Sequence, residues 1–153
     1  MNYDRANLLD LSVLACIEKE CFPEDAFSLR LLKNLLTNAK SVIIKVTTPS
    51  GKIIGNIIGV RKKENNKTIG RICSLCVLKK YRKKGVGVQL LQLLQEEFCK
   101  SGITEVRLEV STHNEAAKQL YKRSGYQMTN TILRNYYNDG TDAVVMRKNF
   151  FCH

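Results

Sequence analysis

The spacing of apolar positions changes several times along this chain, and each change marks an element. Residues 1–5 read as a short edge strand. Leu11, Leu14, Ile17 and Cys21 then recur at helical spacing behind Asn7, an N-cap with Asp10 three residues on. Phe22-Pro23-Glu24-Asp25 breaks that helix, and Ser28 caps a second over residues 29–38. Residues 42–46 read as a strand, Thr48-Pro49-Ser50-Gly51 as a turn and residues 53–60 as the returning strand. Residues 63–67, rich in Asn and charge, read as a loop, and 69–78 as a buried strand. Leu90, Leu91, Leu94 and Phe98 mark one face of a helix that ends near Gly102. Residues 105–111 alternate as a strand. Asn114 opens a helix through Ser124, with Gly125 at its C-terminal stop. Residues 127–137 and 142–150 read as two strands joined in a hairpin around Asn138-Asp139-Gly140. The alternation predicts an α/β (mixed α+β) fold, a single domain over residues 1–153 with no repeat or linker.

Between the buried strand and the third helix lies Arg82-Lys83-Lys84-Gly85-Val86-Gly87. A strand, a basic glycine loop and a helix N-terminus in that order form a phosphate cradle: backbone N–H groups face the ligand and the helix dipole favours negative charge. A Walker A loop is excluded, because no Gly is followed at the required spacing by Gly-Lys-Ser/Thr. A dinucleotide fingerprint is excluded too, since Leu90 stands where its third glycine belongs.

Composition narrows the setting. The chain has 153 residues and a formal net charge of +11. No apolar stretch is long enough to span a bilayer, and Met1-Asn2-Tyr3-Asp4-Arg5 lacks a signal peptide's apolar core, so a soluble cytoplasmic protein without disulfides is expected. Cys73-Ser-Leu-Cys76 is formally a CxxC, but it lies in a strand rather than at a helix start. Only His113 and His153 are available to complete a zinc set, so structural cysteines and no metal are expected. The basic clusters at 61–63, 79–84 and 147–148 suit nucleic acid, a phosphorylated cofactor or an acidic partner. No helix-turn-helix, zinc finger or aromatic single-strand platform is readable, which makes nucleic acid the weaker choice.

A second constellation lies downstream. In residues 105–111, Leu108 and Val110 share one face, while Arg107, Glu109 and Ser111 share the other. A carboxylate in the middle of a buried strand is costly unless it is paired, solvated or functional. Asn114, Ala117 and Tyr121 share one helix face just beyond. Taken singly, these residues read as a salt-bridged Glu, a capping Asn and a core Tyr. Behind a phosphate cradle they also read as a catalytic group.

Together, Arg82-Lys83-Lys84-Gly85-Val86-Gly87, Leu108-Glu109-Val110, Asn114-Glu-Ala-Ala117 and Leu120-Tyr121-Lys-Arg-Ser-Gly125-Tyr126 resemble the GNAT superfamily of acetyl-CoA-dependent N-acetyltransferases. Arg134-Asn135-Tyr136-Tyr137 and Gly140-Thr-Asp142-Ala143-Val-Val-Met146 resemble the branch that acetylates protein N-termini, ribosomal-protein alanine N-acetyltransferases included. Residues 10–23 resemble that branch's entry helix and substrate loop. The resemblance implies a twisted mixed sheet of about seven strands flanked by about four helices, whose two parallel central strands, 69–78 and 105–111, splay to admit the pantetheine arm. By the same resemblance, Leu75, Cys76 and Val77 meet that arm through their backbone. Arg82, Lys83, Lys84, Gly85, Val86, Gly87 and Val88 hold the pyrophosphate, and Asn114 touches the cofactor.

It further implies direct transfer, with Glu109 as general base, acting directly or through water, and Tyr121 as general acid. A covalent route through Cys76 is disfavoured. Phe22, Pro23 and Glu24 on one side, and Tyr136 and Tyr137 on the other, match the family's substrate-facing positions. An α-amine, with a pKa of roughly 7.7–8.0 against about 10.4 for Lys, asks less of a modest base. Two alternatives stay open: the same fold acting on a protein Lys or a small amine, and a non-enzymatic basic module that binds RNA or the ribosome. The protein substrate and any auxiliary subunit are not readable.

Overall fold

A computed structural model describes residues 1–152. His153, counted above among potential metal ligands, lies outside the described residues. Asn7 Oδ1 accepts a hydrogen bond from Leu9 N–H, and Asn7 N–H donates one to Asp10 Oδ2, so a capping box starts a short 3-10 turn. That turn leads into α1 (Leu11–Cys21). Ser28 caps α2 (Leu29–Thr37) through Leu31 N–H. The remaining elements are β1 (Asn2–Arg5), β2 (Ser41–Thr47), β3 (Ile53–Glu64), β4 (Lys67–Val77), α3 (Val86–Lys100), β5 (Glu105–Ser111), α4 (Glu115–Arg123), β6 (Gln127–Leu133) and β7 (Ala143–Asn149).

The seven strands form one sheet in the order β1-β2-β3-β4-β5-β7-β6, antiparallel except for the central β4–β5 pair. Leu90, Leu91, Leu94 and Phe98 of α3 pack on one face, against Ile57, Ile72, Val106, Leu108 and Met146. Leu14 of α1 and Leu32 of α2 pack with Ile43 and Ile58 in a second cluster. Helix α3 sits so close to the sheet that a Cβ on Gly70 would lie 2.5 Å from the Phe98 ring. Among the described residues no helix is long and apolar enough to cross a membrane.

Three expectations need correction. Residues 63–67 are not a loop. β3 and β4 continue to Glu64 and Lys67 and turn at Asn65-Asn66, with Asn65 at φ 57°, a left-handed conformation that Asn tolerates. Their charge finds partners across the sheet, Glu64 with Arg107 and Lys67 with Glu105. The hairpin at Asn138-Asp139-Gly140 is not tight either. β6 ends at Leu133 and β7 begins at Ala143, so residues 134–142 form a wide loop. Its base is closed by Arg134–Asp142 at 2.8 Å and by Asn135 N–H donating to Asp142 Oδ1 at 2.9 Å. The predicted turn survives as a local bend inside the loop, where Gly140 N–H donates to Tyr137 O. Finally, Cys16, Cys21, Cys73 and Cys76 are free, but Cys99 and Cys152 are joined in a disulfide, with Cα atoms 5.5 Å apart. They are 53 residues apart in the chain, so no local pattern announces their meeting.

Candidate active site

The site begins with a break in the sheet. β4 and β5 pair only at Gly70–Val106, Arg71–Arg107 and Ile72–Leu108. Above that point β4 keeps only β3 as a neighbour and β5 only β7. A bulge sits at the same level: Gly59 opposes Ile72 and Ile58 opposes Ser74, which leaves Cys73 as the extra residue. Bulges bend and twist a strand, and here the bend falls where the two strands part. The result is a slot between strand edges that lack a strand partner, with Leu75, Cys76 and Val77 along one side, where Val77 O is already bonded by Arg82, and Glu109 to Ser111 along the other. An extended polar chain can satisfy such edges as an added strand would.

The bulge also sorts side chains. Ile72, Leu75 and Val77 pack toward α3. Cys73 packs with the α1–α2 cluster, and Ser74 is bonded to α1. Arg71 and Glu109 meet on that α1-facing side.

The cradle closes one end of the slot. After the 3-10 turn Lys79–Tyr81, Lys83 adopts φ 62° and Gly85 φ 83°. Gly85 is the N-cap of α3, and no side chain caps its first turn. Those N–H groups are therefore free to meet an anion at the positive end of a 15-residue helix. Val88 is exposed, and the Val86 side chain is buried in the core. The ammonium groups of Lys52, Lys80 and Lys84 lie 5.9–6.0 Å from the centre of the Tyr81 ring beside the loop. Arg82 turns inward: its Nε donates to Val77 O at 2.7 Å, and Nη2 lies 3.9 Å from Cys21 Sγ. Asn114 caps α4, its Oδ1 accepting from Ala117 N–H at 3.1 Å. An uncapped helix N-terminus, a left-handed glycine turn, a basic rim and an unpaired strand edge fit the pyrophosphate and pantetheine of acetyl-CoA.

The two loops flanking the α1-facing side meet each other. Asn138 donates from its backbone to Asp25 Oδ1 at 3.0 Å and from Nδ2 to Glu24 O at 2.6 Å. This joins the Phe22-Pro23-Glu24 segment to the loop carrying Tyr136 and Tyr137. The two tyrosine rings pack edge to face with centroids 5.0 Å apart. Burial raises the pKa of both phenols, that of Tyr137 to about 12. Phe22 is half-buried, while Pro23 and Glu24 are exposed.

Three ionisable groups stand near the parted strands, Glu109 with Arg71, Tyr121 beside Tyr137 and Cys76, and Glu18 with Ser74. Glu109 is paired with Arg71 at 2.8 Å, and Arg71 also donates to Tyr136 OH at 3.3 Å. Tyr121 is 7% exposed and packs edge to face on Tyr126 at 5.8 Å. Burial first, then the neighbouring Tyr137 and Cys76, push its pKa upward, so it is a protonated phenol at neutral pH. Glu18 of α1 is 1% exposed and accepts from Ser74 Oγ at 2.7 Å. Burial raises its pKa against the opposing hydrogen bonds from Ser74 and Cys76. Cys76 is 1% exposed, and its bond to Cys21 together with burial holds the thiol protonated, which removes the nucleophile a covalent route would need. The same pairing with Cys76, and then Arg82, lowers the pKa of Cys21 to about 7.

Arg71, Glu18, Cys21 and Asn138 are residues that the sequence reading did not place at the site. For Arg71 a signal existed: it is a charge inside the apolar run 69–78, the same anomaly that drew attention to Glu109. Glu18 falls on the apolar side of α1 beside Ile17, where a carboxylate is equally out of place.

Comparison with known proteins agrees with this geometry. Residues 9–150 match the family model described as an acetyltransferase (GNAT) domain. The chain is 32% identical over 147 residues to NAA10 of Arabidopsis thaliana, the catalytic subunit of its N-terminal acetyltransferase A complex, covering 95% of this chain and 76% of that protein. It is 40% identical over 78 residues to an N-alpha-acetyltransferase of Sulfurisphaera tokodaii, a match spanning 50% of this chain and 46% of that one. Among solved structures, the ribosomal-protein-S18-alanine N-acetyltransferase of Escherichia coli superimposes with a TM-score of 0.82 at 25% identity, over 97% of this chain and 93% of that one. With a split parallel strand pair, a glycine cradle opening α3 and a family match over nearly its whole length, the chain belongs to the GNAT family of acetyl-CoA-dependent acetyltransferases.

Proposed function

We propose that this protein transfers the acetyl group of acetyl-CoA to the N-terminal α-amine of proteins or peptides, with ribosomal proteins among the candidate substrates. The observation that carries the reading is the split between β4 and β5, with the Glu109 carboxylate held beside the two joined loops and the buried Tyr121 phenol beside Tyr137 and Cys76. Acetyl-CoA supplies the activated acyl group. The chain's own residues do the rest. The edge at Leu75, Cys76 and Val77 orients the pantetheine arm, and the Lys83–Val88 backbone holds the pyrophosphate. Phe22, Pro23, Glu24, Tyr136 and Tyr137 guide an extended chain terminus to the slot. Glu109 accepts the proton of the attacking amine, directly or through water. Tyr121, kept protonated by burial, donates one to the departing sulfur. NAA10 is by its name a subunit of a complex, which supports an auxiliary subunit for this protein as well.

Incubation with acetyl-CoA and a library of short peptides tests the assignment through CoA release and peptide mass. Acetylation at α-amines is expected. Modification confined to Lys side chains or small amines overturns the substrate class, and salt-sensitive RNA binding without acetyl-CoA binding overturns the enzyme reading. For the acid, Tyr121→Phe lowers turnover while acetyl-CoA affinity stays near wild type, and unchanged turnover removes that role.

A further inference from the structure

Glu109 does not meet the slot as a free carboxylate. Arg71 Nη2 and Nε donate to Glu109 Oε1 at 2.8 and 3.1 Å, and Nε also lies 3.3 Å from Oε2. A planar guanidinium with several N–H contacts fixes both the position and the plane of a carboxylate, which a point charge cannot do. The same guanidinium reaches Tyr136 OH at 3.3 Å and Cys73 Sγ at 4.0 Å. It therefore ties β4, β5 and the substrate-facing loop together.

The pair depends on the split. Arg71 stands opposite Arg107 in the register, and Glu109 lies two residues further along β5 on the same face. Arg107 cannot serve Glu109, because it is engaged by Glu105 and Glu64. The other groups around Glu109 carry no positive charge. Cys73 approaches from β4, Tyr136 and Tyr137 from the loop, and Val145 lies directly opposite on β7, while α1 contributes Glu18, whose charge is felt at Cys73. Arg147 on β7 stands beside Arg107, a step away from Glu109. Among the described residues Arg71 is thus the cation bonded to this carboxylate.

Resting on the reading of Glu109 as base, we infer that Arg71 is a positioning residue for the transfer. It fixes the plane of the Glu109 carboxylate and aims it into the slot. Without Arg71, a carboxylate with 18% of its side chain exposed loses the fork that orients it and is free to rotate out of line with the amine.

The test is kcat and KM, separately, for peptide acetylation by the full chain, with Arg71→Gln, Arg71→Lys, Glu109→Gln and the double variant Arg71→Gln/Glu109→Gln. In Arg71→Gln, kcat falls about tenfold or more. The KM for acetyl-CoA stays near wild type. Arg71→Lys keeps the charge, yet kcat remains reduced because the fork is lost. The double variant is no slower than Glu109→Gln alone. A wild-type kcat in Arg71→Gln, a loss confined to the peptide KM, or a double variant slower than Glu109→Gln overturns the inference. So does a wild-type kcat in Arg71→Lys, which also decides the matter should Arg71→Gln not fold. Wild-type turnover in Glu109→Gln overturns the base reading itself, a result distinct from any failure of Arg71.

Discussion

Strand β5 carries two carboxylates on one face, Glu105 and Glu109, and the sheet treats them differently. At the lower end β4 and β5 are paired, and Glu105, 5% exposed, is closed in by Lys67 at 2.8 Å and by Arg107, which also holds Glu64. At the upper end the strands have parted, and Glu109 holds one guanidinium, beside a tyrosine of a surface loop. Residue type, strand and face are the same. What differs is the neighbouring strand. Where it is present, charge is spent on holding the sheet together; where it is missing, the same chemistry faces a slot. A buried ion pair adds little net stability over an apolar pair, whereas breaking one is costly. Position relative to the split therefore says more about role than the presence of a salt bridge does.

The largest effect that can break this comparison is on turnover. Glu109→Gln is expected to slow peptide acetylation by about 10²–10³-fold, within the range for loss of a general base. Glu105→Gln leaves the rate within about twofold, as followed by CoA release. Equal losses from the two variants would erase the distinction between the ends.

Stability runs the other way. Leu108 lies between the two carboxylates, 1% exposed against α3, and Leu108→Ala is expected to cost about 2–5 kcal/mol in denaturant unfolding. Gly70→Ala, which pushes a methyl toward Phe98 at the lower end, is expected to cost about 1–3 kcal/mol.

A smaller effect is the pH dependence contributed by Glu105. Burial raises its pKa, but hydrogen bonds and charge from Lys67 and Arg107 outweigh burial and hold it below the usual carboxylate range. A depressed carboxylate contributes stability that is present above its unfolded pKa, about 4.3 for Glu, and lost as pH falls through the folded value. The urea midpoint of wild type should therefore approach that of Glu105→Gln as pH drops below about 4. A constant gap would remove the linkage.

The smallest effect is local to the slot. With its pKa lowered to about 7, Cys21 is expected to react with iodoacetamide near neutral pH ahead of the buried Cys76. Acetyl-CoA should slow that reaction, because Cys21 lies against Val77 and Arg82. Mass spectrometry with and without acetyl-CoA reads it directly.

Much of the fold was legible because its signals are short-range. The capping box at Asn7 and Asp10, the Ser28 cap, the alternation over Glu105–Ser111 and the left-handed Gly125 each depend on residues within one turn or one pleat. The cradle was legible for the same reason. Where reading failed, long-range contacts had overridden a local pattern. Residues 63–67 looked like a loop because they are charged, yet those charges pair with Arg107 and Glu105 across the sheet. The tyrosine loop looked like a tight hairpin because Asn-Asp-Gly favours one, yet Asp142 closes a wider ring with Arg134 and Asn135.

The sequence by itself determined the order of the elements, the glycine turn before α3, and the face of β5 on which Glu109 lies, because φ/ψ preference, capping and side-chain alternation act over a few residues. Only the tertiary structure decided that β4 and β5 stop pairing after Ile72 and Leu108, that two loops are joined through Asn138, and that Arg71 grips a carboxylate 38 residues away. Those outcomes depend on register, on one bulge and on which strands become neighbours. They are settled only when the whole sheet closes on its core.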